Sequence, residues 1–429
     1  MTSKGSQGVG IAVAVSLGCA AAGAAPVARA QDDPGQTPGL AGLPALQGLP
    51  GLQDLPGILT PHASFGVSAE ARYDSNVART DAATALIRGL VRDDTLTTPR
   101  VVIDLATLLG RANLFVQGAT GYEFHQNNRQ LDRQTTDLKG GATFQIGRCS
   151  SAVIGGYAAR QSDLENLSSS VQRNLAVNKS VEMDLGCLRP SGLSPKIAVS
   201  RSWLTNSAGA QSNADTDITS VTPTLSYARP GLGVVSVYGR YDDIRYPNRV
   251  DLSGRTAGFD GAAGGIDVSH PVTAKLFADL NVSYVQLTPK QAGTTRFSGI
   301  NYDTAFVYAP TTRTTLKLDV GRTVKPSIRI DSNFTVTDFM TLSGKMKLGY
   351  RTSVELGVDR KRETYGRNPL VLTGFLASDT LSEIYATMNF KVNRHVLLTL
   401  DARDQKRDAN PAAFAYTDWR VGLTAAVTY

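Results

Sequence analysis

The side chains able to do covalent chemistry are scarce in this chain of 429 residues, with only 4 His and 3 Cys. His125 is the best candidate base, because Glu123 lies two residues before it and a period-2 strand would put both on one face. A hydrolase would also need a nucleophile beside it. Gly-x-Ser-x-Gly, His-Glu-x-x-His and phosphate-loop patterns are all missing. Gly231-Leu232-Gly233 is half of a dinucleotide fingerprint, but no helical pattern follows it, so these read as turn glycines. Four histidines at scattered positions build no metal site. The expectation is a protein with no catalytic residues, no metal and no cofactor, in which His125 is a solvated loop histidine. An outer-membrane hydrolase with a loop active site stays as the enzymatic alternative.

Cys149 and Cys187 each stand at one end of a strand-like segment, on the same side of the pattern. In an oxidising compartment, such a pair reads as a disulfide tying neighbouring turns. Export is expected from the N-terminus. Lys4 gives a positive start, Val9 to Ala22 a short apolar run, and Ala28-Arg29-Ala30 a small-x-small cleavage site, so residues 1–30 read as a signal peptide. The apolar run is shorter than the roughly 20 residues that span a bilayer. Ser16-Leu17-Gly18-Cys19 makes a poor lipoprotein box. Residues 31–62 are rich in Pro, Gly and Leu, a composition that prevents regular helix or central strand. They read as a periplasmic linker, with docking to a periplasmic partner as the sharper alternative.

From residue 63 to 429 apolar and polar residues alternate in segments of about ten, which is the signal of strands with one face in an apolar medium. Leu316, Leu318 and Val320 oppose Lys317 and Asp319. Leu276, Ala278, Leu280, Val282 and Tyr284 oppose Lys275, Asp279 and Asn281. Val396, Leu398, Leu400 and Ala402 oppose Asp401 and Arg403. About eighteen such segments occur, joined alternately by tight turns and by longer polar loops such as Asp74 to Thr98, Asp242 to Arg255 and Gln405 to Pro411. The pattern predicts an all-β fold, a transmembrane antiparallel barrel in the bacterial outer membrane with short turns on the periplasmic side. Tyr73, Tyr241, Tyr284, Tyr308 and Trp419, near strand ends, suit the interfacial girdles of such a barrel.

If the apolar stripe meets lipid, the opposite face lines a lumen that carries both signs of charge. Arg72, Arg240, Lys317, Arg403, Asp279 and Asp319 are the candidate residues along a solute path there. Unpaired buried charge is costly, so this face implies water or dense pairing. Lys+Arg exceed Asp+Glu by 44 to 37, but the basic residues are spread along the chain without a concentrated stripe, which argues against nucleic acid. The expected partners are outer-membrane lipid and lipopolysaccharide, and the barrel-assembly machinery, which would read the last strand ending at Tyr429.

Tyr73-Asp74-Ser75-Asn76-Val77-Ala78-Arg79 resembles a Tyr-Asp-x-Asn-Val-x-Arg signature near the start of β-barrel porins associated with bacterial exopolysaccharide and capsule clusters. Ala78 stands where that family commonly has Phe or Tyr. The resemblance covers residues 63 to 429 in style. It implies a monomeric barrel that assists exopolysaccharide export, with polysaccharide and periplasmic export proteins as partners. A general porin for small polar solutes is the alternative. Read without the resemblance, Asp74 and Asn76 simply suit a turn leaving a strand.

Overall fold

The computed structural model describes residues 61–147, 149–161, 174–187, 189, 191–250, 254, 256–291, 294–327, 329, 332–367 and 376–429. The expected signal peptide, and the linker as far as residue 60, lie outside them. The described residues form eighteen strands. They are β1 (His62–Asp74), β2 (Asp94–Leu109), β3 (Ala112–His125), β4 (Arg133–Ile146), β5 (Cys149–Gln161) and β6 (Leu175–Gly186). Then come β7 (Gly192–Asn206), β8 (Thr216–Arg229), β9 (Gly233–Val250), β10 (Thr256–Pro271), β11 (Leu276–Pro289) and β12 (Phe297–Tyr308). The chain ends with β13 (Thr314–Pro326), β14 (Ser332–Lys347), β15 (Thr352–Arg367), β16 (Ser378–Lys391), β17 (Val396–Asn410) and β18 (Tyr416–Thr428).

Each strand pairs antiparallel with the next, and β18 pairs with β1 from Gly66↔Thr428 to Asp74↔Arg420. The sheet is therefore closed. Its polarity is the reverse of a soluble protein's. Val67, Val101, Val282, Leu356 and Leu400 are exposed on the outside, while Arg100, Asp242, Glu383 and Arg420 are buried on the inside. The aromatic residues expected at the girdles also point outward, with Tyr284 55% exposed and Trp419 49% exposed. An apolar outer belt over a polar interior is stable only with lipid around it.

One end of the barrel has tight turns, such as Gly110-Arg111 between β2 and β3, where Gly110 takes a positive φ of 63° that favours glycine. The other end holds the long connections. Several strands run further toward that end than alternation suggests. β9 continues to Val250 and β17 to Asn410, both through segments that read as loops. Above the lipid both strand faces meet water or polar neighbours, so the apolar alternation fades while the ladder continues. The β1–β2 connection contains a short helix, α1 (Ala82–Ile87), whose N-cap Asp81 accepts from the Thr84 amide at 2.9 Å. Those hydrogen bonds hold the exposed Asp81 carboxyl below its usual range. Ala78, Ala85 and Leu90 pack this loop against Leu131 of the β3–β4 connection. At the tight-turn end a disulfide joins Cys149 to Cys187.

The Tyr73–Arg79 segment is a clasp over the outer end of the β1–β18 seam. Asn76 is fully buried, and its amide donates to the carbonyls of Thr80 at 3.0 Å and Thr417 at 2.9 Å. Arg79, at φ 50°, turns back to donate to Asp74 at 3.0 Å and also pairs with Asp418. The Trp419 amide donates to the Ser75 hydroxyl at 2.8 Å, and the Tyr73 and Trp419 rings meet at 4.9 Å. At the opposite end of the seam, the Tyr429 amide donates to the Phe65 carbonyl at 2.9 Å, and the His395 ring stacks on Tyr429. Asn76→Ala strips the buried Thr80 carbonyl and the part-buried Thr417 carbonyl of a donor, at about 1–3 kcal/mol for a buried group left unsatisfied. The temperature at which the folded band gives way to the unfolded band in a semi-native gel is expected to fall. An unchanged transition would show that the clasp does not hold the seam.

Candidate functional site: the lumen

Side-chain alternation and the register place Arg72, Arg240, Lys317, Arg403, Asp279 and Asp319 on the inward face, as read from the sequence. They do not form one site. Arg72 and Arg403 belong to a network on β1–β4 and β15–β18. Glu70 meets Arg72 at 3.6 Å and Arg100 at 3.4 Å. Glu123 is fully buried and meets Arg72 at 3.7 Å and Arg133. Glu383 meets Arg403 at 3.3 Å and Arg420 at 3.7 Å, and Arg407 pairs with Asp379. Buried carboxylates are tolerable here because guanidinium groups sit beside each of these. Arg240 pairs with Asp242 at 2.8 Å on β9. Lys317 pairs with Asp319 at 2.8 Å on β13, and its side chain is half exposed to the lumen.

His125 is not the solvated loop residue that the sequence suggested. It is 3% exposed, with Nε2 3.3 Å from Glu123 and Nδ1 3.4 Å from Asp132. The strand carries it inward, so the residue belongs to the lumen network. Its two ring nitrogens thus face carboxylates on both sides, and Arg133 joins the same cluster through Glu123. The arrangement is that of a buried ion cluster.

The outer half of the lumen is crossed by the β13–β14 hairpin. β12 pairs with β13 only from Tyr302↔Arg322 to Tyr308↔Leu316, whereas β13 stays paired with β14 up to Pro326↔Phe334. Above Arg322 the hairpin is therefore released from β12, while β14 stays laddered to β15 up to Ser332↔Arg367, so the sheet folds inward at the β12–β13 break. Val324 and Val336 lie on the hairpin face that points to lipid lower down, yet they are 3% and 7% exposed. They pack with Ile218, Ile244, Phe259 and Leu287, which point inward from β8–β11. That contact requires the hairpin to lie inside the barrel. Its tip is held at two walls. The Tyr246 hydroxyl donates to the Ser327 carbonyl at 2.9 Å. The Arg329 guanidinium lies 5.6 Å from the centre of the Tyr365 ring and 5.7 Å from that of Phe414. Sequence reading missed Arg329, Tyr246 and Phe259, since a lumen-packed Val alternates like a lipid-facing one. It also missed Asp267 and Asp303, which alternation alone would have placed inward.

Glu123→Ala would leave Arg72 and Arg133 facing each other across a buried gap, and breaking a buried pair costs about 3–5 kcal/mol. The midpoint of urea unfolding in lipid is expected to drop. A midpoint equal to that of the parent protein would mean that water already solvates this network.

Three solved barrels from Pseudomonas aeruginosa are similar to this chain at low identity. OccK2 (OpdF) is 9% identical with a TM-score of 0.47, covering 85% of this chain and 98% of its own. The outer membrane protein opdK is 9% identical with a TM-score of 0.46, covering 86% and 99%. OccK11 (OpdR) is 14% identical with a TM-score of 0.45, covering 86% and 96%. No curated protein sequence matches the chain. The family model described as "Putative beta-barrel porin 2" matches residues 63–429, the whole of the closed barrel. The chain belongs to this porin family of the bacterial outer membrane.

Proposed function

We propose that the barrel is a passive diffusion channel for small polar solutes, narrowed on its outer side by the β13–β14 hairpin. The observation that carries this reading is the packing of Val324 and Val336 on the inward residues of β8–β11, which lays the hairpin across the lumen. A polar lumen wall supplies hydrogen bonds to a hydrated solute, and the hairpin limits its girth. No covalent step enters this reading. Membership of a porin family supports it.

Exopolysaccharide passage is the finer reading that the Tyr73–Arg79 resemblance suggested. The defining residues of that segment are turned into the seam, with Asp74 1% and Asn76 0% exposed. A buried clasp speaks for a shared architecture and touches no polymer. Lys317 remains the exposed cation of the expected path, and Arg72 and Arg403 are engaged by carboxylates.

Planar bilayers test the channel reading. The parent protein is expected to give discrete conductance steps, and replacing residues 323–335 by a short Gly-Asn turn is expected to enlarge them severalfold. Closed bilayers with both proteins, each shown to be folded, would overturn the reading. The polymer alternative has its own readout. Removing the gene would lower released polymer while precursor synthesis continued, and unchanged release would leave the small-solute channel standing alone.

A further inference from the structure

We propose that the lumen wall formed by β10–β13 carries a recognition patch for the ammonium or guanidinium group of an organic cation. The inference rests on the channel reading and adds a substrate class to it.

The register assembles the patch. Asp267 on β10 faces Asn281 on β11, which faces Asp303 on β12, so three inward polar residues form a row across neighbouring strands. Asp279 lies two residues below Asn281 on the same face. Adjacent residues in such a row are about 5 Å apart and diagonal ones about 7–8 Å. Among the described residues, Lys317 pairs with Asp319, and no ion pair reaches Asp267, Asp279 or Asp303. This contrasts with Glu70, Glu123 and Glu383, each of which meets arginine. In an eighteen-stranded barrel β11 stands opposite β2, so the carboxylate-rich wall faces the arginine-bearing one across the lumen.

Acidic residues alone would not define a site. A second observation is the state of the acceptors. Asp267 is 4% exposed; among the described residues the Asn281 side chain across the ladder is its one side-chain hydrogen-bonding neighbour, and that contact falls short of good hydrogen-bond geometry at both carboxylate oxygens. The side-chain carbonyl oxygen of Asn301, one inward position above Asp303, is buried without a donor. Buried acceptors are normally satisfied, so the wall is short of donors and long in negative charge. A ligand that brings several N–H groups and a positive charge supplies both.

A third observation is aromatic. Tyr238 on β9 lies over Gly265, where an added Cβ would meet the ring at 2.7 Å. The Tyr238 hydroxyl donates to Asn281 at 3.0 Å, which fixes the ring beside the carboxylate row. An aromatic face next to carboxylates is the usual means of holding an organic ammonium or guanidinium group. Among the described residues no three His, Cys, Asp or Glu side chains converge closely enough to hold a metal ion. The carboxylates are spaced for a larger, many-donor cation.

The test uses the full-length barrel in planar bilayers under a KCl gradient. K+ is expected to be preferred over Cl−. Putrescine is expected to reduce the K+ current, while 1,4-butanediol, of the same length but uncharged, does not. Replacing Asp267, Asp279 and Asp303 by Asn is expected to cut the K+/Cl− preference by about fivefold, since one charge a few ångströms away is worth about 1 kcal/mol even in water. It should also remove the putrescine effect. D279N alone keeps most of the patch and is expected to give a smaller loss in the same direction. Conduction without K+ preference, or a putrescine effect that survives in the triple variant, would overturn the patch and leave the channel intact. A folded barrel that carries no current would overturn the channel reading together with the patch.

Discussion

An unpaired backbone amide or carbonyl inside hydrocarbon costs several kcal/mol, so a sheet can cross a bilayer only if it has no edge. In this protein that condition is met at one seam, where the first strand finds the last. The β1–β18 ladder starts at Gly66↔Thr428, and the Phe65–Tyr429 backbone bonds extend it to the chain's final residue. Its outer end is covered by the Asp74–Arg79 clasp, in which carboxylate, amide and guanidinium groups from both strands are buried together. The remaining pairings join strands that are close in sequence. This one joins segments more than 340 residues apart, so it carries the largest loop-closure cost, and polar contacts from both strands cluster at its outer end.

Closure also explains why the hairpin can leave the wall where it does. When β13 departs above Arg322, the Phe297–Asn301 stretch of β12 loses its neighbour on that side. That would be intolerable in lipid. It occurs at the loop end of the barrel, where water can satisfy the freed groups. The departing hairpin keeps its own β13–β14 ladder and the β14–β15 ladder beside it, and exchanges lipid for the apolar lumen residues of β8–β11. Leu287 and Ile244, each 1% exposed, would otherwise be apolar residues facing a hydrated channel.

Much of this was legible in the sequence, because lipid imposes a strict period of two on every strand. The strand number, the inward set and the turn end all follow from it. What the period cannot encode is the medium that an apolar residue meets. Val324 and Leu318 occupy equivalent positions on β13, yet one packs inside the barrel and the other faces out. Only the early end of the β12–β13 ladder separates them. The strands run further than the alternation predicts for a related reason. Arg407 and Arg133 look like loop residues in a polar stretch, whereas the structure makes them strand residues that pair with Asp379 and Glu123. His125 is a strand residue in the same way, at the end of β3. Its polarity suggests water, but it sits buried between the Glu123 and Asp132 carboxylates.

The lumen's aromatics show how a crowded interior can still leave a passage. Tyr238, Phe339 and Tyr385 each lie against an inward glycine of the neighbouring strand, at Gly265, Gly321 and Gly357. A Cβ at any of the three would stand 2.2–2.7 Å from a ring atom. Without a side chain beneath it, the ring lies along the wall and does not project across the lumen. Glycine weakens an isolated strand, but here the ring covers the bare backbone and recovers apolar contact. In each of these places the same exchange keeps a polar row beside the ring reachable: Asn281 beside Tyr238, Lys361 facing Phe339, and Glu383 next to Tyr385. On the channel reading, small residues beneath flat rings widen the bore, and the charged residues between them face the solute.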